Sequence, residues 1–502
     1  MLCTRLPGSM LASIALFAGV AAPVAQAAPA DPVVQQQVWA DCSQFGYGVD
    51  LLPTAQCTTV SVPVSAADPA GPQAQLAVIK VPASGQRIGP LFVNPGGPGA
   101  SAVDTVAGMG RALAGSPINE HFDLVGVDPR GVGHSTPELR CRTDAEFDAW
   151  RREPMVDYSP AGVAAIEARY RQYAQQCADR MGPAFLAGVG AVDAARDLDT
   201  VRQVLGDEQL NYLGFSYGTQ IGTAYLEQFG PHVRTMVLDG AIDPAVPPME
   251  ETIRQNAGFQ EAFNTYAADC ARSADCPLGQ DPAQWVNRYH QLVDPLVQQP
   301  GRTADPRGLS YSDAILGTGN ALYSPRYWLL LTSGLLGLQR GTDADDLLGL
   351  ADVYQGRDAQ GHYSNKRDAF NAVRCADSPV PTDPGAWATF DLRMRQVAPF
   401  LSYGVFTGFA PRDICAFWPV PASSVPAPAA PAPAGSVMVV ATTRDPATPY
   451  QGGVDLARQL QAPLLTFDGT QHTVVFNGQQ CVDTATVNYL VDRVLPPADL
   501  FC

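Results

Sequence analysis

A serine flanked by glycines, one late histidine and the aspartates ahead of it are the residues of this chain with the most chemistry to offer. Ser216 stands in Gly214-Phe215-Ser216-Tyr217-Gly218. This Gly-x-Ser-x-Gly pattern puts a serine hydroxyl on a sharp turn between a strand and a helix, a backbone path tolerable only when neighbouring positions lack side chains. Five such residues also occur by chance. Here they directly follow the apolar stretch Gln209 to Leu213 and open a helical stretch from Thr219 to Phe229, the context the chemistry demands. That chemistry is nucleophilic attack on an acyl carbon. It needs a base, an acid to orient the base, and two N–H donors for the oxyanion.

Six histidines could supply the base. His121 precedes a strand, His134 lies in a loop after Arg130, His232 follows Gly230-Pro231, and His290 and His362 fall in a long helical region. His472, in Gly469-Thr-Gln-His472, follows the last apolar strand, and it alone comes late enough for the chain order serine, acid, histidine. Asp445, in Thr443-Arg-Asp-Pro-Ala-Thr448, precedes it by 27 residues and follows the preceding strand. Asp239, after an earlier strand, also satisfies the order. Asp445 is preferred because consecutive parallel strands usually neighbour each other, which brings its loop beside that of His472. Thr448 could then bond the Asp445 carboxylate. For the oxyanion, the helix start offers the N–H of Tyr217. The second donor is expected from Asn94-Pro-Gly-Gly-Pro-Gly99, with Gly97 first and Gly96 behind it. Asp128-Pro-Arg-Gly-Val-Gly-His-Ser135 reads as a structural loop in which Asp128 and Arg130 pair.

These residues must be held by a sheet. Leu76 to Val81, Pro90 to Asn94, Phe122 to Val127, Gln209 to Leu213 and Val233 to Leu238 read as strands alternating with helical segments. That alternation signals a mostly parallel, doubly wound α/β sheet. After Asp243 it stops, and helical patterns follow at Ile253 to Cys270, Trp285 to Val297, Tyr311 to Leu322 and Tyr327 to Leu338. The Pro/Ala stretch Pro421 to Gly435 reads as an extended, semi-rigid connector. Strands resume at Ser436 to Ala441 and Pro463 to Phe467, and a helix follows around Thr484 to Val494. The expected organisation is a sheet domain, residues 28–243 and 436–502, interrupted by a helical cap at 244–420 and the connector at 421–435.

Of the 502 residues, 46% are hydrophobic and 16% charged, ample for a buried core. A formal charge of −17 argues against a nucleic-acid partner and against docking on anionic lipid. Residues 1–27 read as an export signal: Arg5, the apolar run Met10 to Ala22, then Ala25-Gln26-Ala27 as a cleavage site. The run is too short for a mature membrane anchor. Cys3 leaves with it, and the other ten cysteines fall into neighbour pairs: 42 with 57, 141 with 177, 270 with 276, 375 with 415, and 481 with 502. None has a metal-ligand spacing, and no metal or cofactor is expected.

With these residues assembled, the chain resembles the peptidase-like branch of the α/β hydrolases, which holds secreted tripeptidyl aminopeptidases and proline iminopeptidases. It is especially similar to the mycobacterial cell-envelope serine hydrolases described as carboxylesterase A and as a protease. The likeness runs from Trp39 to Cys502 through Asn94 to Gly99, Phe122 to Gly131, Tyr212 to Thr219, Leu238 to Pro244, Asp305 to Asp313, Cys415 to Pro419 and Thr470 to Val475. It implies the α/β-hydrolase fold, a triad of Ser216, Asp445 and His472, a closing Cys481–Cys502 bridge, and attack on short peptides from the free amino end. Some relatives carry a lipid-attachment cysteine after the signal; this chain has none there.

The expected enzyme is therefore a serine hydrolase, secreted or held in the cell envelope, acting on peptides or small acyl substrates. An aminopeptidase must anchor an ammonium group, and Glu250, Glu251 and Asp377 are the candidate carboxylates. A carboxylesterase shares every step of the chemistry. A catalytically silent binding protein on the same scaffold is the alternative of another class.

Overall fold

The computed structural model describes residues 38–45 and 53–502, so the expected export signal at 1–27 lies outside the described residues. The strands are β1 (Ala40–Asp41), β2 (Gln56–Pro63), β3 (Gln73–Val81), β4 (Gly89–Asn94) and β5 (Phe122–Val127), then β6 (Leu210–Phe215), β7 (Val233–Asp239), β8 (Val437–Thr442), β9 (Leu464–Phe467) and β10 (Leu500–Phe501). They join in one sheet in the order β1-β2-β3-β5-β4-β6-β7-β8-β9-β10. Pairing is antiparallel from β1 to β5 and parallel from β5 through β4 to β10.

Every residue of β4, β5 and β8 is buried, which is why these segments read as unbroken apolar runs. Alternate side chains feed two cores on opposite faces: Phe92, Tyr212 and Val439 enter one, while Leu91, Val93, Leu213, Met438 and Val440 enter the other. The chain leaves β4, builds β5 on one side of it, and returns to lay β6 on the other. At such a reversal the loops leaving the two central strands part, and a crevice opens over their carboxyl ends. Asn94 pairs with Gly214 there, so the glycine-rich turn after β4 and the serine turn after β6 are direct neighbours.

Between β7 and β8 the described regular structure is helical, in seven α-helices from Pro248–Cys270 to Pro384–Val397 with short 3-10 turns between. Tyr311–Leu322 coincides with the sequence reading. The expected helix Trp285 to Val297 stops being α at Val293 and tightens into a 3-10 turn, Asp294–Val297, where Pro295 has no N–H to donate. These helices own a third core around Phe263, Tyr289, Leu347 and Phe400. The described residues nevertheless form a single compact unit. The Pro/Ala stretch is not a free spacer: Ala427 N–H donates to Pro244 O, Ala429 N–H to Gln459 and Ala432 N–H to Leu460 O.

The ten described cysteines form five disulfides in the expected un-nested order, with separations of 15, 36, 6, 40 and 21 residues. Cys375 and Cys415 lie beside Asp413 in a grouping that resembles a metal site, but their sulfurs are bonded to each other. No helix among the described residues is long and apolar enough to cross a membrane.

Candidate active site

Ser216 begins the helix Tyr217–Phe229 with φ 54° and ψ −124°, a left-handed conformation that costs an L-residue energy and is kept where the surroundings enforce it. The enforcement is visible. A Cβ on Gly214 would lie 2.6 Å from Gly218 O, and one on Gly218 would lie 2.7 Å from Asn94 O. Both motif glycines are thus required by close approach of backbones. Ser216 N–H donates to Asp239 O (2.9 Å), fixing the turn to the end of β7.

The turn after β4 lies against this elbow. The position a Gly96 Cβ would take is 2.3 Å from Phe215 O and 2.8 Å from Tyr217 N. Gly96 N–H is already spent on the Asn94 side chain (2.9 Å), whereas Gly97, next along at φ 106°, is the one of the two without that bond. Tyr217 N–H, first in its helix, has no carbonyl one turn behind it to satisfy it. The Tyr217 hydroxyl is buried on Asp377 Oδ2 (2.5 Å), so that side chain is locked below the donor.

His472 Nδ1 sits 2.9 Å from both carboxylate oxygens of Asp445 and 3.2 Å from Thr448 Oγ1. Asp445 is buried and also accepts from Ala447 N–H (2.8 Å), Thr448 N–H (2.9 Å), Thr448 Oγ1 (3.0 Å) and Thr473 N–H (3.3 Å). Its charge is met on every side. Burial alone would pull the imidazole pKa down, but the charge and hydrogen bond of Asp445, helped by Asp239, leave it above the ordinary histidine value. Asp239, the alternative acid, makes no hydrogen bond to the ring. Its Oδ2 accepts Val474 and Val475 N–H (both 2.7 Å), so it clamps the loop just after His472. Burial pushes its carboxyl up to about 7, against those two bonds and with Asp445's charge adding to the rise. A Cβ on Gly240 would meet His472 Cε1 at 3.3 Å, so the residue after Asp239 borders the imidazole.

Sequence reasoning missed Tyr323. Its carbonyl accepts His472 N–H (2.9 Å) and its ring meets the imidazole edge-on at 5.3 Å. It comes from the helical region between β7 and β8, and nothing in the spacing marks it. The remaining histidines stand elsewhere: His134 beside Asp104, His290 beside Asp294 and His362 beside Asp144.

Three expectations need correction. Asp377 is no free amine anchor: one oxygen accepts Ala191 N–H (2.9 Å) and the other the Tyr217 hydroxyl (2.5 Å), so both already carry a bond. Glu250 is spent on Arg393 (2.8 Å) at the surface. Asp128 and Arg130 do not pair with each other: Arg130 forks onto Asp197 (2.6 and 2.8 Å), while Asp128 receives Val103 and His134 N–H. Glu251 differs from Glu250. It is half-buried, and among the described residues it has neither an ion pair nor a hydrogen bond to its carboxylate. Burial pushes it up to about 7, opposed by Arg254 and helped by Asp243 and Glu250.

Residues 89–479 match a family model described as alpha/beta hydrolase fold. Carboxylesterase B of Mycobacterium tuberculosis is 68% identical to the chain over 99% of it and 96% of the relative. Serine protease Hip1 of the same species is 51% identical, covering 94% and 92%. A tripeptidyl aminopeptidase of Streptomyces lividans is 29% identical, covering 92% and 86%.

Proposed function

The chain belongs to the α/β-hydrolase family and is a serine hydrolase, and from that premise we propose that it is an exported enzyme removing short peptides from the amino end of its substrates. In this reading Ser216 Oγ attacks the scissile carbonyl while His472 Nε2 takes its proton. Asp445 holds the ring and balances the imidazolium. The N–H groups of Gly97 and Tyr217 receive the tetrahedral oxyanion. The imidazolium then protonates the leaving amine, and the same base activates water against the acyl-enzyme.

The observation that carries the peptidase reading is Glu251. A half-buried carboxylate with neither ion pair nor hydrogen bond among the described residues is a costly arrangement unless a cation comes to it. It stands in the first turn of the helix Pro248–Cys270. One turn on, Gln255 donates to Ala447 O (2.7 Å), and a Cβ on Gly258 would meet Pro446 O at 2.9 Å. The same helix thus carries Glu251 and rests on the Asp445 loop, a suitable placement for an ammonium anchor beside the reacting carbonyl. A carboxylesterase is the second reading, favoured by the name of the 68% relative.

Free and N-acetylated tripeptide amides, assayed side by side with short acyl esters, separate the two. The expected outcome is a preference for the free amine of about tenfold or more in kcat/KM, lost in Glu251→Gln. Equal cleavage of both peptides, or turnover of esters alone, makes carboxylesterase the correct name. A fluorophosphonate probe should label the protein and fail on Ser216→Ala; absence of labelling would leave only a binding role.

A further inference from the structure

The chain has 32 Lys and Arg against 49 Asp and Glu, and its arginines are mostly spent on carboxylates, as with Arg130, Arg142 and Arg412. Two adjacent cations break that pattern. Lys366 and Arg367 open the helix Lys366–Asp377, and among the described residues neither forms a salt bridge. Lysine occurs only at positions 80 and 366 of the sequence. Both side chains are half-buried and both lean on one ring: Lys366 Nζ lies 5.7 Å and Arg367 Cζ 5.3 Å from the centre of Tyr354. Arg367 also covers Phe370 at 4.5 Å.

Their place matters. Tyr354 neighbours Tyr323 at 6.4 Å, and Tyr323 meets His472 at 5.3 Å. On its other side the helix start presses on the oxyanion turn, where a Cβ on Gly99 would lie 2.6 Å from Lys366 O. Asn365, which could cap this helix, instead bonds Gly131 O (2.8 Å) and Gly133 N–H (3.1 Å). The first N–H groups are therefore without a side-chain cap, and the end of the helix adds its own positive potential. Arg367 further lines a cavity of about 520 Å³ with Tyr158, Tyr170, Ile315 and Trp387. Lys366 is held below its ordinary pKa by burial and by Arg367, the cost of crowding two cations with no anion between them.

We propose that Lys366 and Arg367 form an anion subsite that takes a carboxylate on the leaving side of the substrate. The side follows from the chemistry. The leaving group must depart past the imidazole that protonates it, and the cations connect to that imidazole through the rings of Tyr354 and Tyr323. The ligand is a carboxylate, either the free C-terminus of a short peptide or an acidic side chain just after the scissile bond. This rests on the hydrolase reading above and deepens it by defining the substrate beyond the cut.

The test uses peptides with one common acyl part and three leaving parts: a neutral residue as free acid, the same residue as carboxamide, and aspartate as carboxamide. The wild type should cleave the free acid or the aspartyl amide about ten- to a hundredfold better in kcat/KM than the neutral amide, chiefly through KM. Preference for the free acid alone assigns the subsite to the C-terminus; preference for the aspartyl amide alone assigns it to a side chain. In K366Q/R367Q the preference ratio should fall to about one, and in Arg367→Lys it should persist in part. The same ratios read as dissociation constants on Ser216→Ala separate the subsite from the chemistry. A peptide preference there with no turnover by the wild type would refute the hydrolase reading and keep the subsite. Equal handling of all three peptides, or a preference that survives K366Q/R367Q, overturns the proposal.

Discussion

An imidazole with one aspartate on its ring and another behind its loop gives the two acids different work. Asp445 contacts Nδ1 from both oxygens, while Asp239 contacts only backbone, at Val474 and Val475. The shift of His472 above the ordinary histidine value is opposed by burial and produced chiefly by Asp445. A general base acts in its neutral form, so with His472 as the proposed base activity should climb as pH rises through that raised value. In Asp445→Asn the support for the imidazolium disappears, so the acid limb of kcat/KM should move to lower pH. The rate itself should fall, by about 10⁴-fold where the substitution leaves the wrong tautomer. Both changes come from one pH profile. A variant with an unmoved acid limb would mean that another group sets the histidine's state.

At the scale of elements, the site is made by two turns that meet because the strand order reverses at β4. Gly96 is the tightest point of that meeting, with Phe215 O 2.3 Å and Tyr217 N 2.8 Å from where a Cβ would be. Gly96→Ala must push the oxyanion turn off the elbow. With the proposed donors moved, kcat should drop at least ~100-fold, the cost of one lost oxyanion donor. KM should change little, and the fold should remain by circular dichroism. Much of this arrangement was legible in the sequence, because strands buried on both faces leave apolar runs and the elbow needs glycines at fixed offsets. The order of serine, aspartate and histidine followed from the same strands. What escaped has a physical reason. β2 alternates polar and apolar residues, as an antiparallel strand with one wetter face does, and carries no strong run. Tyr323 and Asp377 make their contacts across well over a hundred residues of chain, and their types do not distinguish them from any core tyrosine or surface acid. Neighbouring cysteines, by contrast, find each other locally, and all five pairs were readable.

Taken as a whole, the molecule keeps several carboxyls in places where ionisation is penalised. Burial raises Asp128 and Asp377 to about 6, and Asp239 and Glu251 to about 7. In the unfolded chain each would titrate at roughly 4. A group raised in this way makes the folded state bind more protons than the unfolded one between the two values. Its contribution to stability is complete below roughly pH 4 and is lost as pH rises through about 6 to 7. His472, also raised, acts in the same direction above the ordinary histidine range. The opposite limb comes from acids held below their ordinary values, Glu146, Glu167 and Asp305, chiefly by a backbone bond from Thr143 and by side-chain bonds from Arg412 and Arg307 respectively. Their contribution is lost only as pH falls through those lowered values. The two limbs place greatest thermal stability on the acid side of neutrality, and growing repulsion within a chain of charge −17 steepens the alkaline decline. The melting temperature should therefore be higher near pH 5 than near pH 8, in one buffer series at constant ionic strength. Asp239→Asn isolates one contributor, because the amide oxygen can still accept Val474 and Val475 N–H while the position no longer ionises. That variant should lose less stability than the wild type between the two pH values. A melting temperature that rises from pH 5 to pH 8, or an Asp239→Asn curve parallel to the wild type, would show that these buried acids do not govern the balance.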